Sequence, residues 1–182
     1  MIVAHQIASG IHAVHSFPKE GVPAIAHTDI TPSQFVYVND EKMFKLNDFN
    51  RCRFISWDKK KEEPCTFDVG NNPGNFRSPE EYKYDPETEK IDMYSIGNVI
   101  YGILTGEYPF EKLNGKQARR KIRKGERPPI DDTYKDSKDP YIQSLLKCIS
   151  MCWVQEPKDR ASSGRLLDFI TDELKRLDKT ND

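Results

Sequence analysis

The chain has 182 residues, 31% of them charged and 36% hydrophobic, with a net charge of −1. That is enough for one domain with a real core, and the charge balance leaves no long-range field to gather nucleic acid or an anionic membrane. No apolar run approaches the roughly 20 residues of a membrane-crossing helix, and Met1-Ile2-Val3-Ala4-His5-Gln6 lacks the basic-then-apolar order of a secretory leader.

Ile2, Ile7, Ile11 and Val14 fall near helical spacing and predict a helix over 2–16. A break rich in Pro and Gly follows from Ser16 to Pro23, then a short apolar step, Ile25-Ala26, into a loop at His27. Phe35-Val36-Tyr37-Val38 and Met43-Phe44-Lys45-Leu46, separated by Asn39-Asp40, predict a small hairpin. Residues 50–77 show little periodicity and read as a long, mobile loop, with the run Asp58-Lys59-Lys60-Lys61-Glu62-Glu63 as solvated surface.

Beyond that the chain turns helical. Ser78-Pro79-Glu80-Glu81 is a helix-start signal, with Pro in the first turn and acids beside it. Residues 90–105 are apolar almost all round, which predicts a helix buried on most sides and the central post of the domain. Further helices are expected near 114–124, 139–153 and 162–177, the last capped by Ser162 or Ser163. The fold class is mainly α with a small β-hairpin, a helical bundle around the post at about 90–105. Cys52, Cys65, Cys148 and Cys152 show no Cys-x-x-Cys zinc spacing. Cys148 and Cys152 share a helix face and read as small apolar residues in a reduced, intracellular, cytoplasmic protein.

The chemistry concentrates in His27-Thr28-Asp29-Ile30-Thr31-Pro32-Ser33-Gln34 and Asp48-Phe49-Asn50. Asp29 and Gln34 lie five apart in a loop, and the hairpin can fold Asp48 back beside them. Mg²⁺ takes oxygen ligands and needs only one or two carboxylates plus substrate phosphates. A second carboxylate can orient a hydroxyl and accept its proton. On spacing alone, solvated loop acids remain the competing reading.

The order of motifs resembles the C-terminal lobe of the eukaryotic protein kinases over nearly the whole chain. His27-Thr28-Asp29 stands where that family has His-Arg-Asp, and Asp48-Phe49-Asn50 where it has Asp-Phe-Gly. Ser78-Pro79-Glu80 matches Ala-Pro-Glu. Ile91-Asp92-Met93-Tyr94-Ser95-Ile96-Gly97 matches the buried helix with its Asp and Gly. Cys152-Trp153, with Glu156-Pro157-Lys158-Asp159-Arg160-Ala161-Ser162, matches the closing signature. Each motif alone is weak; together and in order they are specific. The resemblance divides the partial domain, residues 1–182, into a catalytic loop at 27–34, an activation segment at 48–80 and a helical subdomain at 81–177.

The resemblance also implies roles. Asp29 is the catalytic base, Asp48 and Gln34 are the Mg²⁺ ligands, Val36 lies under the adenine of ATP, and Thr31 stands at the γ-phosphate position. Glu80 and Arg160 form a buried ion pair, Asp92 ties the loop to the central helix, and His27 and Phe49 are internal. Five positions depart from the family pattern, the mildest being Asn50 in place of glycine, since Asn tolerates positive φ better than most residues. Thr28 replaces an arginine that reads an activation-loop phosphate, and Thr31 replaces the lysine on the γ-phosphate. Pro73 replaces a threonine that contacts the catalytic Asp. Gln34 replaces Asn, and one extra methylene shifts a ligand by over ~1 Å, which can cost ~10²-fold. No Gly-x-Gly-x-x-Gly occurs in the chain. The expectation is therefore about two-thirds of a kinase domain, inactive alone, from a protein that phosphorylates protein hydroxyl groups with ATP and Mg²⁺. Pro32 leans toward Ser/Thr. The alternative is a pseudokinase, a scaffold that binds a regulatory protein without turnover.

Overall fold

The computed structural model describes residues 1–19, 22–70 and 72–179. Glu20 and Gly21, in the expected break, and Asn71, in the expected loop, lie outside the described residues. The chain opens with α1 (Ile2–His15), then the short strands β1 (Pro18–Lys19), β2 (Val22–Pro23) and β3 (Ile25–Ala26). The hairpin β4 (Phe35–Val38) and β5 (Met43–Leu46) follows, then β6 (Arg53–Phe54), β7 (Trp57–Asp58) and β8 (Glu63–Pro64). The helical part comprises α2 (Pro79–Lys83), α3 (Lys90–Thr105), α4 (Gly115–Arg123), α5 (Asp132–Lys135), α6 (Pro140–Cys152) and α7 (Ser163–Asp178).

The apolar girdle of residues 90–105 has the predicted consequence. Helix α3 is buried without a break from Ile91 to Tyr101. Helices α1 and α6 pack on it, and α7 packs on α1 and α6. At Gly97 the end of α6 comes in close: an added Cβ would lie 2.7 Å from both the Cys152 Cβ and the Trp153 Cδ1. The Trp153 indole N–H donates to Asn98 Oδ1 at 3.0 Å, so the polar end of this large ring is satisfied inside the core. Cys148 and Cys152 are buried and free, as small apolar residues would be.

Helix starts follow the sequence signals. Ser78 accepts from the Glu81 N–H while Glu81 accepts from the Ser78 N–H, a complete capping box with Pro79 at the first position. Asn114 and Gln117 form a second box on α4. Asp139 caps α6, and Ser162, rather than Ser163, caps α7.

The strands differ from expectation. There is not one hairpin but four antiparallel pairs among the described residues, β1–β2, β3–β6, β4–β5 and β7–β8. The stretch 50–77, expected as one irregular loop, contributes β6, β7 and β8. Ile25 pairs with Phe54 and Ala26 with Arg53; Trp57 pairs with Pro64 and Asp58 with Glu63. Strands of two residues carry no readable alternation, so pattern reading misses them. Asp58 shapes the β7–β8 turn by accepting from the N–H groups of Lys60 and Lys61 at 2.9 and 3.2 Å. Lys59 to Glu63 stay exposed at its tip. No described helix is long and apolar enough to cross a membrane.

One buried ion pair fastens α2 to the segment before α7. Arg160 donates to both Glu80 oxygens, at 2.7 and 3.2 Å. It also donates to the carbonyls of Val154 and Lys90, and its guanidinium lies over the Tyr94 ring at 5.3 Å. Because its donors are used, burial of this charge is tolerated.

Gly97→Ala is expected to lower stability by about 1–3 kcal/mol, since overpacking against Cys152 and Trp153 outweighs the better helix propensity of Ala. A thermal midpoint several degrees lower would register it; an unchanged midpoint would show that α3 and α6 can part at no cost.

Candidate active site

The site is built outward from α3. Asp92 is buried in its first turn. Its carboxylate accepts from the backbone N–H groups of His27 and Thr28 at 2.7 and 2.8 Å, and the His15 Nε2 lies 3.0 Å away. These bonds hold the loop after β3 in an unusual shape, with Thr28 at φ 62°, a left-handed conformation rare for a β-branched residue. The Thr28 hydroxyl secures the same turn by donating to the Arg51 carbonyl at 2.8 Å. His27 is fully buried. Its Nδ1 accepts from the Asp29 N–H and its Nε2 donates to the Asn47 carbonyl at 2.9 Å, a structural role.

The loop and the β4–β5 hairpin link Asp29, Gln34 and the chain at Asp48. Gln34 Nε2 donates to Asp29 Oδ2 at 3.2 Å. The Gln34 carbonyl accepts from the Asn47 N–H at 2.8 Å, which places Asp48 next to a residue clamped to both Gln34 and His27. Asp48 itself sits at φ 61° before a single 3-10 turn, Phe49–Arg51. Its side chain is partly exposed and makes no hydrogen bond or ion pair among the described residues. With the Gln34 amide nitrogen committed to Asp29, its Oε1 remains for another partner. One uncommitted carboxylate and one amide oxygen are the hard donors Mg²⁺ takes when phosphates complete its shell, so these residues fit the metal. Thr31 pairs with the Ser33 hydroxyl at 2.8 Å and brings no charge. Val36 is 48% exposed on the outer face of β4, opposite buried Phe35. Phe49, expected to be internal, is 50% exposed, touching His27 edge-on at 5.3 Å; among the described residues no second ring covers it.

Sequence reading missed Arg77. Its guanidinium is ion-paired with Asp29 Oδ1. It also donates to the Thr28 carbonyl and, at 3.4 Å, to the Pro73 carbonyl, and it lies 3.8 Å from Glu81. A signal existed: Arg77 is the sole basic residue between Lys61 and Lys83, amid Asp68, Glu80 and Glu81. Glu81 is buried, and that burial pushes its carboxyl up to about 7, with Arg77 and Ser78 pulling the other way. Glu87 is raised to about 8 by burial and by the nearby Glu81 and Glu80.

A protein kinase domain family model matches residues 2–170. The chain belongs to the protein kinase family. Among its relatives, it is 32% identical over 164 residues to a protein of Dictyostelium discoideum named as a probable serine/threonine-protein kinase, with 90% of this chain and 16% of the relative covered. It is 31% identical over 164 residues to a dual specificity protein kinase of the same organism, covering 90% of this chain and 11% of the relative. A serine/threonine/tyrosine-protein kinase of Arabidopsis thaliana is 29% identical over 171 residues, 92% of this chain and 38% of its own length. The chain thus spans well under two thirds of these relatives. Kinases of this family in general use ATP and Mg²⁺, and the fold around α3 is the mainly helical one expected.

The raised Glu81 carboxyl has a pH signature. The folded protein keeps a proton there that the unfolded chain releases near 4.5, so stability falls as pH rises from about 4.5 through about 7. Glu81→Gln, which preserves the capping box, is expected to reduce that decline in thermal unfolding followed across the window. An unaltered slope would show Glu81 ionised throughout.

Proposed function

We propose that this chain supplies the catalytic loop and protein-binding half of a kinase domain that moves the γ-phosphoryl group of ATP to a protein hydroxyl. The observation that carries the reading is the state of the two aspartates. Asp29 is oriented through both oxygens, and Asp48 is uncommitted, beside a residue bonded to the same loop. Asp29 is the base that orients the incoming hydroxyl and takes its proton. Asp48 and the Gln34 Oε1 are the metal-holding atoms. When bound, Mg²⁺ would neutralise charge on the phosphates. Val36 offers an exposed apolar face for the adenine ring, and Thr31 offers a hydroxyl, without charge, toward the γ-phosphate. Ser/Thr substrates are favoured by Pro32, and the names of several relatives support that class. Four free cysteines are in keeping with a place inside the cell.

The loop that covers the phosphates is not within these residues, so turnover is proposed for the complete domain and not for the 182 residues alone. A second reading, a scaffold without turnover, has its own support. Thr28, Thr31, Gln34 and Pro73 cluster around the phosphate and metal site, as relaxed catalytic demand would leave them.

Thermal unfolding with ATP and Mg²⁺ separates the two. A stabilised midpoint that vanishes in Asp48→Ala is expected for the kinase reading, because a ligand bound only to the folded state raises its stability. No shift in a protein carrying the phosphate-covering loop would leave the scaffold.

A further inference from the structure

We infer that Arg77 is the positioning residue for Asp29, and that the activation segment, not the catalytic loop, supplies the cation that holds the base. This rests on Asp29 acting as the proton acceptor. The catalytic loop has no cation of its own at this point. Thr31 is turned to Ser33, and Pro73 offers only its carbonyl, which Arg77 itself uses. Among the described residues the ion-pair partner of Asp29 is Arg77.

The geometry suits orientation. Arg77 grips the Asp29 side chain and also the Thr28 carbonyl, so it restrains both the carboxylate and the peptide that carries it. Gln34 holds the other oxygen. Two donors on two oxygens fix the plane of a carboxylate, which a single contact leaves free to turn. Arg77 in turn cannot drift. The Phe76 carbonyl before it accepts from Ser95 and Asn98 of α3 at 2.8 and 3.0 Å. The Ser78 N–H after it is held by Glu81 at 2.7 Å. Its side chain is 6% exposed against 19% for Asp29, so the pair is shielded from water on the arginine side and more open where a substrate hydroxyl would approach. Coulombic attraction in such a place outweighs that of a surface pair.

The consequence is coupling. The base is correctly aimed only while residues 73–78 are docked on α3, so the conformation of the activation segment is read directly at Asp29 without a phosphorylated residue as intermediary. An opposite role, in which Arg77 sequesters Asp29 and restrains it, is the alternative the test must decide.

The test compares Arg77→Met, Arg77→Lys, Asp29→Asn and the double variant R77M/D29N in the full protein. In thermal unfolding, D29N is expected to lower the midpoint less in the R77M background than alone, a non-additivity that marks direct coupling. The Gln34 side-chain amide resonance should move in R77M and move less in R77K, since Lys keeps the charge but not the fork. With ATP and a protein substrate, R77M should lose about 10²-fold in kcat with the KM for ATP unchanged, the size expected of a base displaced by ~1 Å, and R77K should recover part of it. Additive midpoints with an unmoved Gln34 resonance would overturn the inference, as would a kcat that rises in R77M. Should R77M fail to fold, R77K with D29N completes the same cycle. Non-additivity in a protein that shows no turnover would uphold the positioning and sink the phosphoryl-transfer reading, so the two claims fail separately.

Discussion

Asp92 carries the heaviest structural constraint in this chain. An ionised carboxylate taken from water into a helical core is costly unless each oxygen finds donors. Here the donors are two consecutive backbone N–H groups of the loop after β3, plus His15 from the end of α1. The energetic need of the buried acid and the geometric need of the loop are met by the same bonds. Thr28 can be left-handed because Asp92 holds its N–H, its own hydroxyl holds Arg51 and Arg77 holds its carbonyl. From that fixed turn the chain leads out to Asp29 on one side and, through His27 and Asn47, to Asp48 on the other.

Around this anchor the charges are handled in two different ways. The Glu80–Arg160 pair is saturated with donors and acceptors and holds parts of the helical lobe together. The Asp29–Arg77 pair is built from the same chemistry but lies at the edge, with the acid partly open to solvent. Glu81 stands between them, in contact with Arg77 and adjacent in sequence to Glu80; its burial is why its carboxyl holds its proton to so high a pH, against the pull of Arg77.

The helices were legible in the sequence because their signals are local. The mostly apolar run from Ile91 to Tyr101 declared its burial despite Asp92, Ser95 and Asn98 within it, and Ser78-Pro79 declared a helix start within one turn. The hairpin at Phe35–Leu46 was legible for the same reason, as two runs of four mostly apolar residues flank the turn residues Asn39-Asp40. The two-residue pairs β1–β2, β3–β6 and β7–β8 were not, because so short a strand has no period and is defined by a partner elsewhere in the chain. At the site, the motif order singled out Asp29 and Gln34, which bond to each other, and Asp48, whose neighbour Asn47 bonds to Gln34. It was not enough to find Arg77, whose meaning lies in a contact with a residue 48 positions earlier. Phe49 shows the reverse error: its place in a motif suggested an internal ring, yet the described residues leave half of it open.

The separation in sequence of the groups that close the core has a kinetic side. Glu80 and Arg160 are 80 positions apart, and His27 and Asp92 are 65 apart. Contacts that close loops of this length form only after much chain entropy has been surrendered, so topology of this kind folds slowly. A ribosome adding about 5–20 residues per second makes Glu80 several seconds before Arg160. During that interval α2 carries a carboxylate with no arginine to receive it, and the pair can close only once the segment that leads into α7 has been made.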